Sequence, residues 1–180
     1  MNNKSAHACR WLVSIGLLIA LSGCETAVDP ARMVFTTQPT DRAFPEHLQR
    51  AVCVRSVTGG EKTSLSAPAK VADEEFRTAL MSSLDSAGLS ATPATCHYLI
   101  DANLLGLSQP SWGFTITVTS HVNYKVYDAA GQPVLMETIS APFTPPCCRP
   151  GVVLIRMGNE GSIRSSIAQF LEKLRDVKLQ

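Results

Sequence analysis

The sequence predicts an α+β fold in which two helices pack on one face of a four-stranded mixed sheet, with the elements in the order β-α-β-β-β-α. Residues 114–127 alternate between apolar and polar side chains, as a strand with one solvated face does. Residues 72–87 and the segment after residue 160 carry apolar side chains at helical spacing. The first helix lies between two strand-like segments, so we expect those strands to be parallel and joined by a right-handed crossover.

The first strand and the first helix are indicated by their composition and by their ends. Residues 51–57 are rich in β-branched side chains and are followed by Gly59 and Gly60. Three acidic residues occupy the first turn of the helix predicted over residues 72–87, where the helix dipole favours anions. Gly88 follows as a suitable C-terminal cap. The apolar stripe of this helix comprises Phe76, Ala79, Leu80, Ser83, Leu84 and Ala87.

Three further strands are predicted over residues 97–107, 114–126 and 134–141, with a hairpin turn at 128–131 between the last two. The longest of the three has an apolar face and a polar face, and His121 belongs to the polar one. That polar face is either ordinary solvated sheet or a docking surface. An edge strand of the sheet could also accept a strand from a partner.

The last helix is predicted to start near Glu160, with Asn159 as its N-cap, after a rigid proline-containing loop over residues 142–151. The short apolar run at 152–156 does not indicate which type of element it forms. The segment 159–164, NEGSIR, looks like a family signature to which no function can be attached. The buried stripe of the helix comprises Ile163, Ile167, Phe170, Leu171 and Leu174.

Near the N-terminus, the residues Leu21-Ser22-Gly23-Cys24 follow a basic region and the apolar run 11–20. Basic, apolar and then small residues are typical of an export signal, and the run is too short to span a bilayer. The four residues match the lipobox of bacterial lipoproteins, which the chain resembles over its first 24 residues. The resemblance implies cleavage between Gly23 and Cys24, and acylation of Cys24 by diacylglycerol and a further chain such as palmitate. The alternatives are an ordinary cleaved signal or an uncleaved anchor.

This interpretation divides the chain into a signal peptide at 1–23, a lipidated N-terminus and tether at 24–50, and a globular α+β domain at 51–180. Prolines spread through residues 25–50 predict a semi-extended tether. In enteric-type lipoproteins an Asp after the acylated cysteine favours retention in the inner membrane, whereas this chain has Glu25. The resemblance therefore implies a lipid anchor in the outer membrane, facing the periplasm of a Gram-negative cell.

The charge balance argues against a nucleic-acid partner. After residue 23 the chain keeps 14 basic and 15 acidic residues, a net charge of −1, and it shows no basic stripe. The basic residues near the C-terminus are interspersed with acids, which predicts a solvated helix face. They are Arg156, Arg164, Lys173, Arg175 and Lys178.

Four cysteines remain beyond Cys24, in a compartment that permits disulfides. If the first two strands are parallel, Cys53 and Cys96 lie at the same end of the sheet, so we predict a disulfide between them. Cys147 and Cys148 should lie at the opposite end, as a vicinal disulfide or as thiols. A metal or redox site built from Cys96, His97 and these two cysteines is disfavoured, because adjacent cysteines fit neither zinc spacing nor a C-x-x-C motif.

No catalytic motif or nucleotide-binding fingerprint occurs in the sequence, so an enzyme is the least favoured function, and no cofactor or metal is expected. Trp112 and Phe114, at a junction between a loop and a strand, are candidates for a partner contact. A partly buried aromatic pair at a hairpin tip is the equally plain alternative.

The order of elements over residues 51–176 resembles small accessory lipoproteins of the Gram-negative envelope. These include the lipopolysaccharide-assembly lipoprotein that sits inside an outer-membrane barrel, and auxiliary lipoproteins of ABC-type lipid transporters. The resemblance implies a non-catalytic accessory subunit of an envelope transport or assembly complex, with a larger envelope protein as partner. The alternative is a lipid- or small-ligand-binding lipoprotein, which predicts a pocket between sheet and helices and a roomy core. Architecture by itself does not fix function.

Overall fold

The structure is a computed structural model that describes residues 27–38, 40–64, 69–110 and 116–177. The predictions made for Gly23, Cys24, Trp112 and Phe114 lie outside the described residues. The boundary at residue 23 lies outside them as well.

A four-stranded sheet and three helices account for the regular structure of the described residues. Strand order is β1-β2-β3-β4, with β1 parallel to β2 and the other neighbours antiparallel, which confirms the predicted α+β class and its mixed sheet. A 3₁₀ turn at Glu46–Leu48 precedes the first strand. The elements are α1 (Pro30–Met33), β1 (Val52–Thr58), α2 (Asp73–Ser86), β2 (Tyr98–Ser108), β3 (Val118–Tyr127), β4 (Pro133–Phe143) and α3 (Gly151–Arg175).

The long helices α2 and α3 cover the same face of the sheet, α2 over β1 and α3 over β3 and β4. Strand β3 shows the consequence, because every second residue from Val118 to Val126 is buried and the residues between them are partly exposed. Tyr124 stands at the centre of the layer. Its ring stacks on Phe170 at a centroid distance of 4.2 Å and meets the edge of Phe76 at 6.4 Å. Aromatic side chains from both helices therefore fill the space above the sheet.

Helix α3 begins at Gly151, nine residues before the predicted start, and Asn159 is a buried mid-helix residue that does not act as an N-cap. The sequence pattern places the start too late because Gly158, Gly161 and the polar residues between them interrupt the apolar stripe. In the fold, the glycines let the helix lie close to the sheet. A Cβ on Gly158 would collide with Val118, and a Cβ on Gly161 with Phe143.

The segment from residue 27 to residue 50, which was expected to be a semi-extended tether, packs on the domain. Helix α1 contacts both long helices. Met33 and Leu48 are fully buried, and Val28 and Phe44 are 6% and 7% exposed. The difference arises because a few apolar residues, spaced too widely for a regular period, cover apolar surface left open by α2 and α3. Within the described residues, the packed domain therefore extends back to Val28.

No helix within the described residues combines the length and the hydropathy that crossing a bilayer requires.

Candidate functional site

The N-terminal segment is held against the long helices by backbone and side-chain hydrogen bonds. The N–H of Asp29 donates to Oε1 of Glu160 at 3.0 Å, and Nη1 of Arg164 donates to the carbonyl of Arg32 at 3.2 Å. Further along, the N–H of Phe35 donates to Oγ of Ser83 on α2 at 3.0 Å. These contacts fix where the chain enters the domain, which is beside the middle of α3.

Glu160 is a buried carboxylate, 3% exposed, with Arg156 at 3.9 Å on the preceding turn of α3. Burial raises the pKa of its carboxyl group, because an apolar surrounding disfavours the charged form. The N–H of Asp29 and the nearby arginines oppose this shift. The same carboxyl group therefore holds the N-terminal segment in place through Asp29 and has a pKa that burial raises.

Asn159 joins two other parts of the chain to the same helix. Its Nδ2 donates to the carbonyl of Ala69 at 2.7 Å, and its Oδ1 accepts from Nε2 of Gln109 at 2.7 Å. One turn along, the hydroxyl of Ser120 donates to the carbonyl of Ser162 at 3.0 Å. The segment 159–164 therefore has a structural explanation, since it fastens the N-terminal segment, the loop before α2 and strand β3 to α3.

Neither Asn159 nor Glu160 is predicted from the sequence to have this role. The available signal was polar residues at the helical spacing of a buried stripe, because Asn159, Ser162 and Ser166 continue the line of Ile163 and Phe170. The side chains of Asn159 and Ser166 bind residues 40 or more positions away in the sequence, so the pattern indicates burial but not the contacts.

The uncovered face of the sheet carries polar side chains that are hydrogen-bonded across the strands. His121 lies between two hydroxyls, with Nε2 at 3.0 Å from Ser108 Oγ and Nδ1 at 2.8 Å from Ser140 Oγ. Asn123 donates to Thr138 at 2.9 Å on the next rung. Serine and histidine meet here on an open, hydrogen-bonded surface, so the contacts are those of a cross-strand network.

At the β1 edge of this face, the guanidinium of Arg55 binds both carboxylate oxygens of Asp101, at 2.9 and 2.5 Å, and lies 4.5 Å from the ring centroid of Tyr127. The hydrogen bond from Arg55 is the main cause that lowers the pKa of Asp101. Met136 on β4 is 59% exposed beside Lys125 of β3. The face is therefore polar and hydrogen-bonded, with the exposed apolar side chain of Met136 among its described residues.

The structure forms the predicted disulfide between Cys53 and Cys96, with Cα atoms 5.9 Å apart. It ties the starts of the parallel strands β1 and β2 together. Beside it, an open groove of about 470 Å³ is lined by His47, His97 and Asp128, among others. The described residues contain no cluster of three or more His, Cys, Asp or Glu side chains suited to a metal.

Cys147 and Cys148 lie in the loop after β4, at the other end of the sheet from the disulfide. Both are exposed thiols whose sulfurs are 2.7 Å apart, and Cys148 has φ 75°. The hydrogen bond to Cys147 raises the pKa of the Cys148 thiol. A site combining them with Cys96 and His97 is excluded, because Cys96 is bonded to Cys53.

No family model matches the sequence, and no curated protein matches it. Solved structures do share its fold. A Xanthomonas campestris protein of the family DUF330 is 10% identical, and the match covers 76% of this chain and 92% of that one with a TM-score of 0.54. The hypothetical protein CT253 of Chlamydia trachomatis is 12% identical, with coverage of 72% and 99% and a TM-score of 0.53. At these identities the similarity establishes the fold and nothing further.

Proposed function

We propose that this chain is a membrane-anchored periplasmic lipoprotein that acts as a non-catalytic accessory subunit of an envelope transport or assembly complex. The observation that carries the proposal is the lipobox ending at Cys24, which stands four residues before Val28, a residue packed in the core. Acyl chains on Cys24 would supply more than one membrane-binding group, which is what stable anchoring requires.

The short interval between Cys24 and Val28 implies that the domain lies against the membrane. Four residues span at most about 14 Å when fully extended. The contacts of Asp29 and Arg32 with α3 continue this restraint into the fold. The domain therefore lies close to the membrane, and not at the end of the semi-extended tether that the prolines predict.

The uncovered sheet face supports the accessory role. It is already hydrogen-bonded within itself through His121, Asn123 and Arg55, so a partner would meet a preformed surface. A preformed surface reduces the entropy cost of association. Glu25 supports placement in the outer membrane, following the sorting pattern of enteric-type lipoproteins.

The lipid- or small-ligand-binding alternative predicted a roomy interior. Among the described residues, the stacking of Tyr124 on Phe170 and the close approach of Gly158 and Gly161 to the sheet fill the helix–sheet layer at these positions. This packing favours the accessory role over an internal ligand site.

The proposal is tested by intact mass and membrane fractionation of the natively expressed protein beside a Cys24→Ala variant. We expect a chain beginning at Cys24 with a multiply acylated glyceryl group, in the outer-membrane fraction, and loss of that mass in the variant. A soluble, unlipidated product cleaved elsewhere would contradict the anchor.

The accessory role is tested in the same membranes with a photo-crosslinking amino acid at position 136 or 81. Met136 is exposed on the open sheet face, and Met81, 51% exposed on α2, is the matched control. We expect a larger envelope protein to crosslink at position 136 and not at position 81. Equal crosslinking at both positions, or none at 136, would count against a partner on this face.

A further inference from the structure

A groove of about 530 Å³ lies where the N-terminal segment meets the start of α3. Its walls include the guanidinium-bearing residues Arg32, Arg149 and Arg156, and its apolar members include Val152 and Met157. Val152 is 56% exposed. Cationic side chains around a small apolar patch are the combination that binds the boundary between lipid headgroups and acyl chains.

The arginines of this groove differ in how they are engaged. Arg149 is exposed and makes no hydrogen bond or ion pair with the described residues. Arg32 has its Nε 3.6 Å from Asp29, but both side chains are more than half exposed, so water weakens that pair. The side chains of Arg32 and Arg149 can therefore turn to an incoming anion at low cost.

The groove lies beside the point at which the chain enters the domain. Asp29, which pairs with Arg32, is five residues from Cys24, a span of at most about 18 Å. Arg32 contributes both to the groove and to the contact with Arg164 that fixes the segment. An acyl chain on Cys24 would therefore bring this groove, and not the distant disulfide end, to the lipid surface.

We propose that this groove binds the phosphate headgroup of an anionic phospholipid in the leaflet that holds the acyl chains of Cys24. The proposal rests on the lipid anchor proposed above. Arginine suits this role because its planar guanidinium donates paired hydrogen bonds to phosphate oxygens. The N-terminus of α3, which has no side-chain cap at Pro150, adds positive potential in the same direction. The headgroup would set the orientation of the domain on the membrane, and the acyl chains would hold it there.

The test uses the full acylated protein in nonionic detergent, titrated with short-chain phosphatidylglycerol and followed by native mass spectrometry. Short-chain phosphatidylcholine and inorganic phosphate are the comparison ligands. The test variant is Arg32→Gln with Arg149→Gln, two exposed side chains. Its matched control is Lys62→Gln with Lys173→Gln, two exposed lysines that do not line the groove, which removes the same charge elsewhere.

We expect the wild type and the control to bind phosphatidylglycerol about tenfold more tightly than phosphatidylcholine. The test variant should bind phosphatidylglycerol about tenfold more weakly than the wild type does. Unchanged binding in the test variant, or equal binding of the two lipids, would overturn the proposal. Competition by inorganic phosphate at the same concentration would also overturn it, because the site would then take a free anion. The proposal would also be overturned if the wild type bound neither lipid but co-purified with an acidic protein that the test variant loses, because the groove would then bind that protein.

The mass spectra of the same samples report whether Cys24 is acylated. An unacylated chain would contradict the lipid anchor, whereas the titration tests lipid binding by the groove. Failure of the anchor and failure of the groove proposal are therefore distinguishable.

Discussion

Two buried polar residues of α3, Asn159 and Glu160, show how single side chains fix the arrangement of this domain. Each binds a backbone group from a part of the chain 90 or more residues earlier, Ala69 for Asn159 and Asp29 for Glu160. A buried polar group without a partner is costly, so the fold must bring those backbone groups to α3. The polar residues therefore specify where the irregular segments lie, which apolar packing cannot do alone.

The carboxyl of Glu160 should make stability depend on pH. Because folding raises its pKa, the folded protein binds that proton more tightly than the unfolded chain does. Its contribution to the free energy of unfolding is therefore largest below the ordinary pKa of 4.5 and falls as pH rises above it. As pH rises from 4 to 7, the free energy of unfolding of Glu160→Gln should therefore increase relative to that of the wild type. Urea unfolding at pH 4 and at pH 7 measures this difference.

Asp101→Asn provides a comparison of opposite sign. Its pKa is lowered, chiefly by the hydrogen bond from Arg55, so the carboxylate stabilises the fold above its ordinary pKa of 3.8 and that contribution is lost as pH falls. This variant should become less stable relative to the wild type as pH rises from 3 to 6.

For Glu160→Gln, a difference in the free energy of unfolding that is the same at pH 4 and pH 7 would show that the Glu160 carboxyl is not perturbed.

At the scale of elements, the N-terminal segment and the long helix α3 depend on each other. The segment has few hydrogen bonds of its own, and α1 is four residues long, too short to be stable alone. It is ordered because Met33 and Leu48 enter the core. In turn it covers the part of α3 that contains Glu160 and Arg164.

Met33→Ala should lower the free energy of unfolding by about 2–5 kcal/mol, because it leaves a cavity under a fully buried side chain. Met81→Ala is the matched control, since that side chain is 51% exposed on α2, and it should change the free energy by less than about 0.5 kcal/mol. Urea unfolding measures both. Equal small effects would mean that residues 27–50 act as a free tether.

At the scale of the whole molecule, the sheet has one face covered by helices and one face open, and its two ends differ. The disulfide and the hairpin between β3 and β4 occupy one end. The thiols Cys147 and Cys148, the start of α3 and the arginine groove occupy the other. The proposed membrane contact and the proposed partner face therefore use different surfaces of one rigid domain, and both can be engaged together.

Removal of the disulfide by Cys53→Ser with Cys96→Ser should lower the free energy of unfolding by about 2–4 kcal/mol, because the bond closes a long loop of the unfolded chain. Cys147→Ser with Cys148→Ser, at exposed positions, should change it by less than about 0.5 kcal/mol. Chemical unfolding, with peptide maps under reducing and non-reducing conditions, measures both. A bond from Cys53 or Cys96 to the pair at 147 and 148 would contradict this pairing.

The sequence alone determined the elements whose signal is local or periodic. The alternation along β3 and the stripe of α2 around Phe76 follow from the two-residue and 3.6-residue periods, and the structure has both. The meeting of Cys53 and Cys96 follows from the parallel strands that a β-α-β order predicts. The order of elements from β1 to α3 follows from the same local periods, whereas the short helix α1 was not predicted. The lipobox is also local, and it remains a prediction.

Tertiary structure alone decided the start of α3, the course of residues 27–50 and the arginine groove. By its sequence Gly158 would be expected to interrupt a helix, but in the structure it lets the helix pack against the sheet. Glu160 would be expected to be exposed, but it is buried and accepts a hydrogen bond from Asp29. Met33 and Leu48 read as isolated apolar residues in a tether. In each case the deciding partner is far away in the sequence, so the free energy that selects the conformation comes from contacts that no local pattern records.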